Sequence, residues 1–101
     1  MPVSGDLYTF NDWNINRSPT GKGVYSLHKG DETIYIGKGD GEDGIRARLQ
    51  AHKRGDEGPC TESATAYRRE VCSNPSSRET ELLEEYIRIN GRLPRCNKRI
   101  G

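Results

Sequence analysis

The chain has 101 residues, 31% of them hydrophobic and 31% charged, with a formal net charge of +1. That length and composition set one domain around a small core, and a charge so near zero does not by itself mark a nucleic-acid binder. Without a run near the ~20 apolar residues that a membrane span needs, and without an apolar signal region at the N-terminus, the sequence is expected to be cytoplasmic with no membrane association.

Residues 1–20 are polar with scattered aromatics, Tyr8, Phe10 and Trp13. They are expected to form an N-terminal extension that lays those rings over one edge of a sheet and carries no chemistry. Residues 21–101 then hold the functional domain. Gly23-Val24-Tyr25-Ser26-Leu27-His28 and Thr33-Ile34-Tyr35-Ile36-Gly37 are rich in β-branched and aromatic residues with period-two alternation, the signature of two short strands. Turn chemistry at Lys29-Gly30-Asp31-Glu32 predicts an antiparallel hairpin between them. Alternation places Ile34 and Ile36 on one face, and Tyr35 on the other with Tyr25. Gly37 and Gly39 leave the exit bare, so that a bulky partner could approach the backbone there.

The glycine-rich acidic loop 38–44 includes Gly39-Asp-Gly41-Glu-Asp-Gly44 but lies in no βαβ unit, so it is read as a flexible link. A helix is predicted over 44–54, with Asp43 as N-cap and Gly55 as terminator. Ile45, Leu49 and His52 share one stripe, and Arg48 flanks it four residues before His52. His52 serves equally well as a packing histidine or as a substrate-facing group. Residues 56–63 read as a loop and 64–72 as a strand. A second helix opens on Ser76, with Glu79 three residues on completing a capping box, and ends at Gly91 before Pro94. Leu82, Leu83, Tyr86, Ile87 and Asn90 are taken as its inner face. Glu81 and Glu85 are assigned to solvent. Glu84 is placed at the apolar margin near Ile87, where a carboxylate needs a partner or a role. Asn97 follows, positioned to brace the hairpin or to cap the fold.

Cys60, Cys72 and Cys96 are widely spaced, with no CxxC pair. They are expected to be reduced thiols, neither a disulfide framework nor a zinc site. The basic residues fall in two acid-free segments. Arg46, Arg48, Lys53 and Arg54 lie in one, and Arg88, Arg92, Arg95, Lys98 and Arg99 in the other. Together the segments offer a phosphate-tracking surface or an ordinary solvated mixture of charges.

Gly23-Val-Tyr25, then Tyr35-Ile-Gly37 with Lys38 directly after, an Arg-x-x-x-His helix, a helix with a marginal glutamate and a Pro-x-x-Asn ending together resemble the GIY-YIG nuclease domain over roughly residues 21–97. The resemblance implies an α+β fold with a small three-stranded antiparallel sheet flanked by helices. It also implies an Mg2+- or Mn2+-dependent endonuclease that hydrolyses phosphodiester bonds in DNA. By position, Tyr25 is implied as general base or orienter of the attacking water. Tyr35 positions the phosphate, and Arg48 neutralises the charge growing on it. His52, Lys38 and Asn97 complete the site, and Glu84 holds the metal. Arg46, Lys53, Arg54, Arg95 and Lys98 are the nucleic-acid-binding candidates. These residue types suit the chemistry, because a crowded anionic transition state needs positioning and positive charge. A single carboxylate can hold one Mg2+ that keeps several waters. A phenol has a pKa of about 10, so acting as a base requires nearby cations.

The sequence departs from the pattern in three ways. The 39–44 loop is a few residues long, so Arg48 is chosen over Arg46 on the histidine spacing. The spacing to Asn97 suits Glu84 or Glu85, and helical phase selects Glu84. No residues remain for the separate DNA-binding domain that family members usually carry, so a protein partner or self-association is expected to supply specificity. The competing readings are a non-cleaving nucleic-acid-binding module and an RNA-directed nuclease, since phosphate contacts carry no sugar identity.

Overall fold

The computed structural model describes residues 3–98; Arg99, counted in the second basic segment, lies outside them. The hairpin forms where its residues require it: β2 (Gly23–Lys29) and β3 (Glu32–Gly39) pair antiparallel around Gly30, whose φ of 60° suits a residue without a Cβ. Among the described residues the sheet has four strands, not three. After the hairpin, β4 (Ala66–Val71) pairs with β2, and the two-residue β1 (Tyr8–Thr9) pairs with β4, giving the order β1-β4-β2-β3. The N-terminal segment therefore adds a strand as well as aromatic cover. Tyr8 stacks on Tyr67 and Phe10 is buried, but Trp13 stays 66% exposed, with the Arg17 guanidinium 3.3 Å from its ring centroid.

Helices cover both faces of the sheet. Tyr25, Leu27, Ile34 and Tyr67 pack with Ile45 and Leu49 of α2 (Gly44–Arg54), joined by Ile15 of the single-turn α1 (Asp12–Ile15). The alternate residues Val24 and Ile36 pack with Leu82 and Leu83 of α4 (Pro75–Asn90) on the opposite face. Ile34 and Ile36 thus belong to different cores, contrary to strict alternation. The register slips between Leu27 and His28, so Ile34 has no partner across the ladder and turns toward the Tyr25 face.

The helix at 44–54 has the expected bounds. Gly55 ends it in the left-handed conformation at φ 85°, but Asp43 makes no side-chain cap. The 56–63 segment contains one helical turn, α3 (Pro59–Glu62). The predicted capping box does not form. Pro75 occupies the first turn of α4 behind Asn74, and the Ser76 hydroxyl accepts from Lys38 Nζ at 2.8 Å. With Pro75 free to start the helix one residue earlier, Glu79 is released to face inward.

Cys60 and Cys96 form a disulfide, which corrects the expectation of three reduced thiols; Cys72 is free. The pair is 36 residues apart in sequence, a separation that carries no local signal. It arises because the C-terminal segment runs back along the outer edge of β3, where the Cys96 N–H donates to the Ile34 carbonyl at 2.8 Å. Asn97 completes that edge contact. Its Oδ1 accepts from the Ile36 N–H at 2.9 Å and its Nδ2 donates to the Ile36 carbonyl at 3.0 Å, so one amide pairs both backbone groups of a strand edge. Among the described residues, no helix is long and apolar enough to cross a membrane.

Candidate active site

The candidate site wraps around the outer edge of β3. Tyr35 stands on that strand and lines two neighbouring cavities. One, of about 480 Å³, is bounded by His52, Glu57, Glu79, Asn97 and Lys98. The other, of about 440 Å³, is bounded by Lys38, Asp40, Arg48 and Glu79. Tyr35 and Glu79 are common to both.

Gly37 explains how the two phenols come together. Tyr25 lies opposite Gly37 in the ladder, and a Cβ on Gly37 would stand 2.6 Å from the Tyr25 hydroxyl and 2.7 Å from Tyr35 Cε2. The bare strand exit is therefore filled by the protein's own rings, with no room for an outside partner. The rings sit 6.1 Å apart, and the His52 ring lies 5.5 Å from Tyr25 and 4.9 Å from Tyr35. His52 is fully buried; Nε2 lies 2.7 Å from the Tyr25 hydroxyl, and Nδ1 lies 2.9 Å from Thr61 Oγ1.

Electrostatics sort these groups. Burial, reinforced by Tyr35, pushes the Tyr25 hydroxyl far above the ordinary phenol range against the opposing pull of Arg48. Burial likewise raises Tyr35. Both are neutral phenols near pH 7. Burial and then the Arg48 charge lower His52 to about 4, with Glu57 opposing, so its imidazole is neutral as well. Burial alone would lower Arg48, but the Tyr25 and Glu57 contacts outweigh it and raise it. Its positive charge acts on the hydroxyls of both tyrosines, and Nη1 donates to Glu57 Oε2 at 3.4 Å.

Several of the residues singled out in the sequence converge here and others do not. Tyr35, Lys38, Arg48, His52, Asn97 and Lys98 line the cavities. Tyr25 touches the group from behind: it is fully buried and lines neither cavity, so it has no direct access to a water. Glu84 lies on the far side of α4, exposed beside Arg78, Glu81 and Arg88. Glu85, assigned to solvent, is half-buried, and Asn90, assigned to the inner face, is exposed. Arg46 donates to the Ser18 carbonyl at 2.7 Å, Lys53 stands over the Phe10 ring, Arg54 pairs with Asp56 and Arg95 with Glu32. These four cations serve the fold or other surface pairs, outside the residues that line the two cavities.

Of the carboxylates that line the cavities, Glu79 is the buried one. It is 7% exposed, and its Oε1 has no hydrogen-bond partner among the described residues. Burial raises its carboxyl, with Lys38 opposing and Asp40 adding. The signal for it was present in the sequence. At roughly 100° per residue, three to four positions before Leu82 and Leu83 is the centre of the buried stripe, whereas Glu84 falls well to the other side. Among the described residues, no cluster of three or more His, Cys, Asp or Glu side chains could hold a metal ion. A buried, unpartnered carboxylate oxygen nevertheless suits a hard cation that takes one protein ligand and keeps its waters.

In comparisons with known proteins, no protein-family model matches the chain, and no curated protein matches it.

Proposed function

We propose that the chain is a small metal-assisted endonuclease of the GIY-YIG type, hydrolysing phosphodiester bonds in DNA. The observation that carries this reading is the unpartnered Glu79 Oε1, buried in a cleft that it shares with Tyr35, Arg48 and Lys38. A lone buried carboxylate opposite a guanidinium and a phenol is costly unless it has a ligand to hold.

Each side chain has a role that its surroundings support. Glu79 holds the divalent ion, Mg2+ or Mn2+, which when bound supplies positive charge to the phosphate and leaving oxygens. Arg48 donates to the phosphate oxygens once it leaves Glu57. Tyr35, the phenol that reaches the cleft, orients the attacking water or the phosphate. Tyr25 and His52 stand behind it and fix its environment, so the role assigned to Tyr25 from sequence passes to Tyr35. Lys38 compensates charge beside Glu79, and Lys98 is the basic residue at the mouth. Asn97 keeps the strand edge in place.

A non-cleaving nucleic-acid-binding module is the second reading, favoured by the complete burial of Tyr25. The two are separated by incubating the pure protein with supercoiled plasmid and with branched DNA and RNA oligonucleotides, with Mg2+ or with chelator. Mg2+-dependent nicking supports the nuclease. Salt-dependent binding without cutting supports the module.

A further inference from the structure

The fully buried contact between Tyr25 and His52 continues to a third residue, which the catalytic reading leaves unused. Thr61, on the single turn of α3, is 3% exposed and places Oγ1 2.9 Å from His52 Nδ1. The turn itself is held in place, since its neighbour Cys60 is bonded to Cys96 on the edge of β3.

The direction of each hydrogen bond follows from the donors present. A neutral imidazole has one N–H and one bare nitrogen, so its two sides differ. The positive charge of Arg48 acts on the Tyr25 hydroxyl, and a guanidinium has no acceptor to offer its proton. The phenol therefore turns its oxygen toward that charge and its proton away, and, as a stronger acid than the Thr61 alcohol, it is the hydroxyl that donates to the imidazole. The acceptor within reach is His52 Nε2 at 2.7 Å. That leaves the imidazole proton on Nδ1, donated to Thr61 Oγ1. We propose that Thr61 is a positioning residue of the site: its hydroxyl holds His52 as the Nδ1–H tautomer, so Nε2 stays bare and fixes the Tyr25 proton away from the cleft. Tyr25 then turns only lone pairs toward Arg48 and Tyr35, which orients the guanidinium and the cleft-facing phenol.

The arrangement orients groups and does not ionise them. Burial holds the Tyr25 proton tightly and makes His52 a weak base, so the proton remains on the phenol. As a role in catalysis, this inference rests on the hydrolytic reading; as a statement about a tautomer, it does not.

The test combines 15N NMR of the histidine side chains with single-turnover cleavage of plasmid in Mg2+, comparing wild type, Thr61→Ser and Thr61→Val. Wild type and Thr61→Ser are expected to show His52 protonated at Nδ1 and bare at Nε2. Thr61→Val is expected to lose that preference and cleave about tenfold more slowly or worse at saturating DNA, with unchanged DNA affinity, while Thr61→Ser keeps the rate. Protonation of wild-type His52 at Nε2 overturns the proposal, and this result needs no variant to fold. Full cleavage by Thr61→Val overturns it too. If the tautomer is as expected but wild type cleaves nothing, the hydrolytic reading fails and the tautomer lock stands.

Discussion

The Tyr25 hydroxyl and His52 Nε2 meet at 2.7 Å with both side chains sealed from solvent. Burial and the nearby Arg48 charge hold that imidazole uncharged.

This gives a pH dependence of defined sign. His52 is lowered from an ordinary 6.5 to about 4 on folding, so between those values the unfolded chain binds the extra proton and the folded chain does not. Stability is therefore complete above pH 6.5 and falls as pH drops toward 4, by on the order of 3 kcal/mol. Burial and Arg68 lower His28 as well, adding loss of the same sign. Urea unfolding at pH 7.5, 6.5 and 5.5 should show this decline, with a shallower slope in His52→Gln. Equal slopes in the two proteins would show that His52 is not buried in neutral form.

The close approach at Gly37 predicts a penalty for one added carbon. In Gly37→Ala the new Cβ would meet the Tyr25 hydroxyl at 2.6 Å, and both rings are held between the sheet and α2. We expect a loss of about 1–3 kcal/mol, read as a lower urea midpoint at unchanged slope. Gly41→Ala, where nothing among the described residues lies within 4 Å, should leave the midpoint nearly unmoved.

The Cys60–Cys96 link closes a loop across a sequence separation of 36. Cys60→Ser with Cys96→Ser should cost roughly 2–4 kcal/mol, and wild type unfolded in excess dithiothreitol should match the double variant. A midpoint indifferent to reductant would show that the bond does not form in solution.

Glu57 occupies the Arg48 guanidinium that the proposed reaction needs for phosphate. Both side chains are more than a third exposed, so the pair adds little stability. Glu57→Gln is accordingly expected to keep the unfolding free energy within about 0.5 kcal/mol of wild type and to bind DNA several-fold more tightly. Weaker binding in that variant would mean that Glu57 assists the site instead of competing with substrate.

Much of this architecture was legible from short-range pattern. The hairpin, the helix from Gly44 to Arg54 and its glycine stop all follow from alternation, turn chemistry and helical period. Two features required knowledge of what each element packs against. The slip at Leu27/His28 reverses the side of Ile34, and nothing in Thr33-Ile-Tyr-Ile announces it. The disulfide depends on the chain doubling back along β3. Glu79 was legible and misread: assigning it to a capping box removed it from the buried stripe, and Pro75 at the start of α4 is the residue that argues otherwise.

The decisive measurement compares Glu79→Gln with Glu84→Gln in Mg2+-dependent cleavage of supercoiled plasmid. Glu79→Gln preserves the size of the side chain, removes the cleft's buried carboxylate and should lower the rate at least a hundredfold, while Glu84→Gln, on the exposed side of the same helix, should cut like wild type. Full activity in Glu79→Gln, or loss only in Glu84→Gln, would contradict a catalytic centre built around the edge of β3.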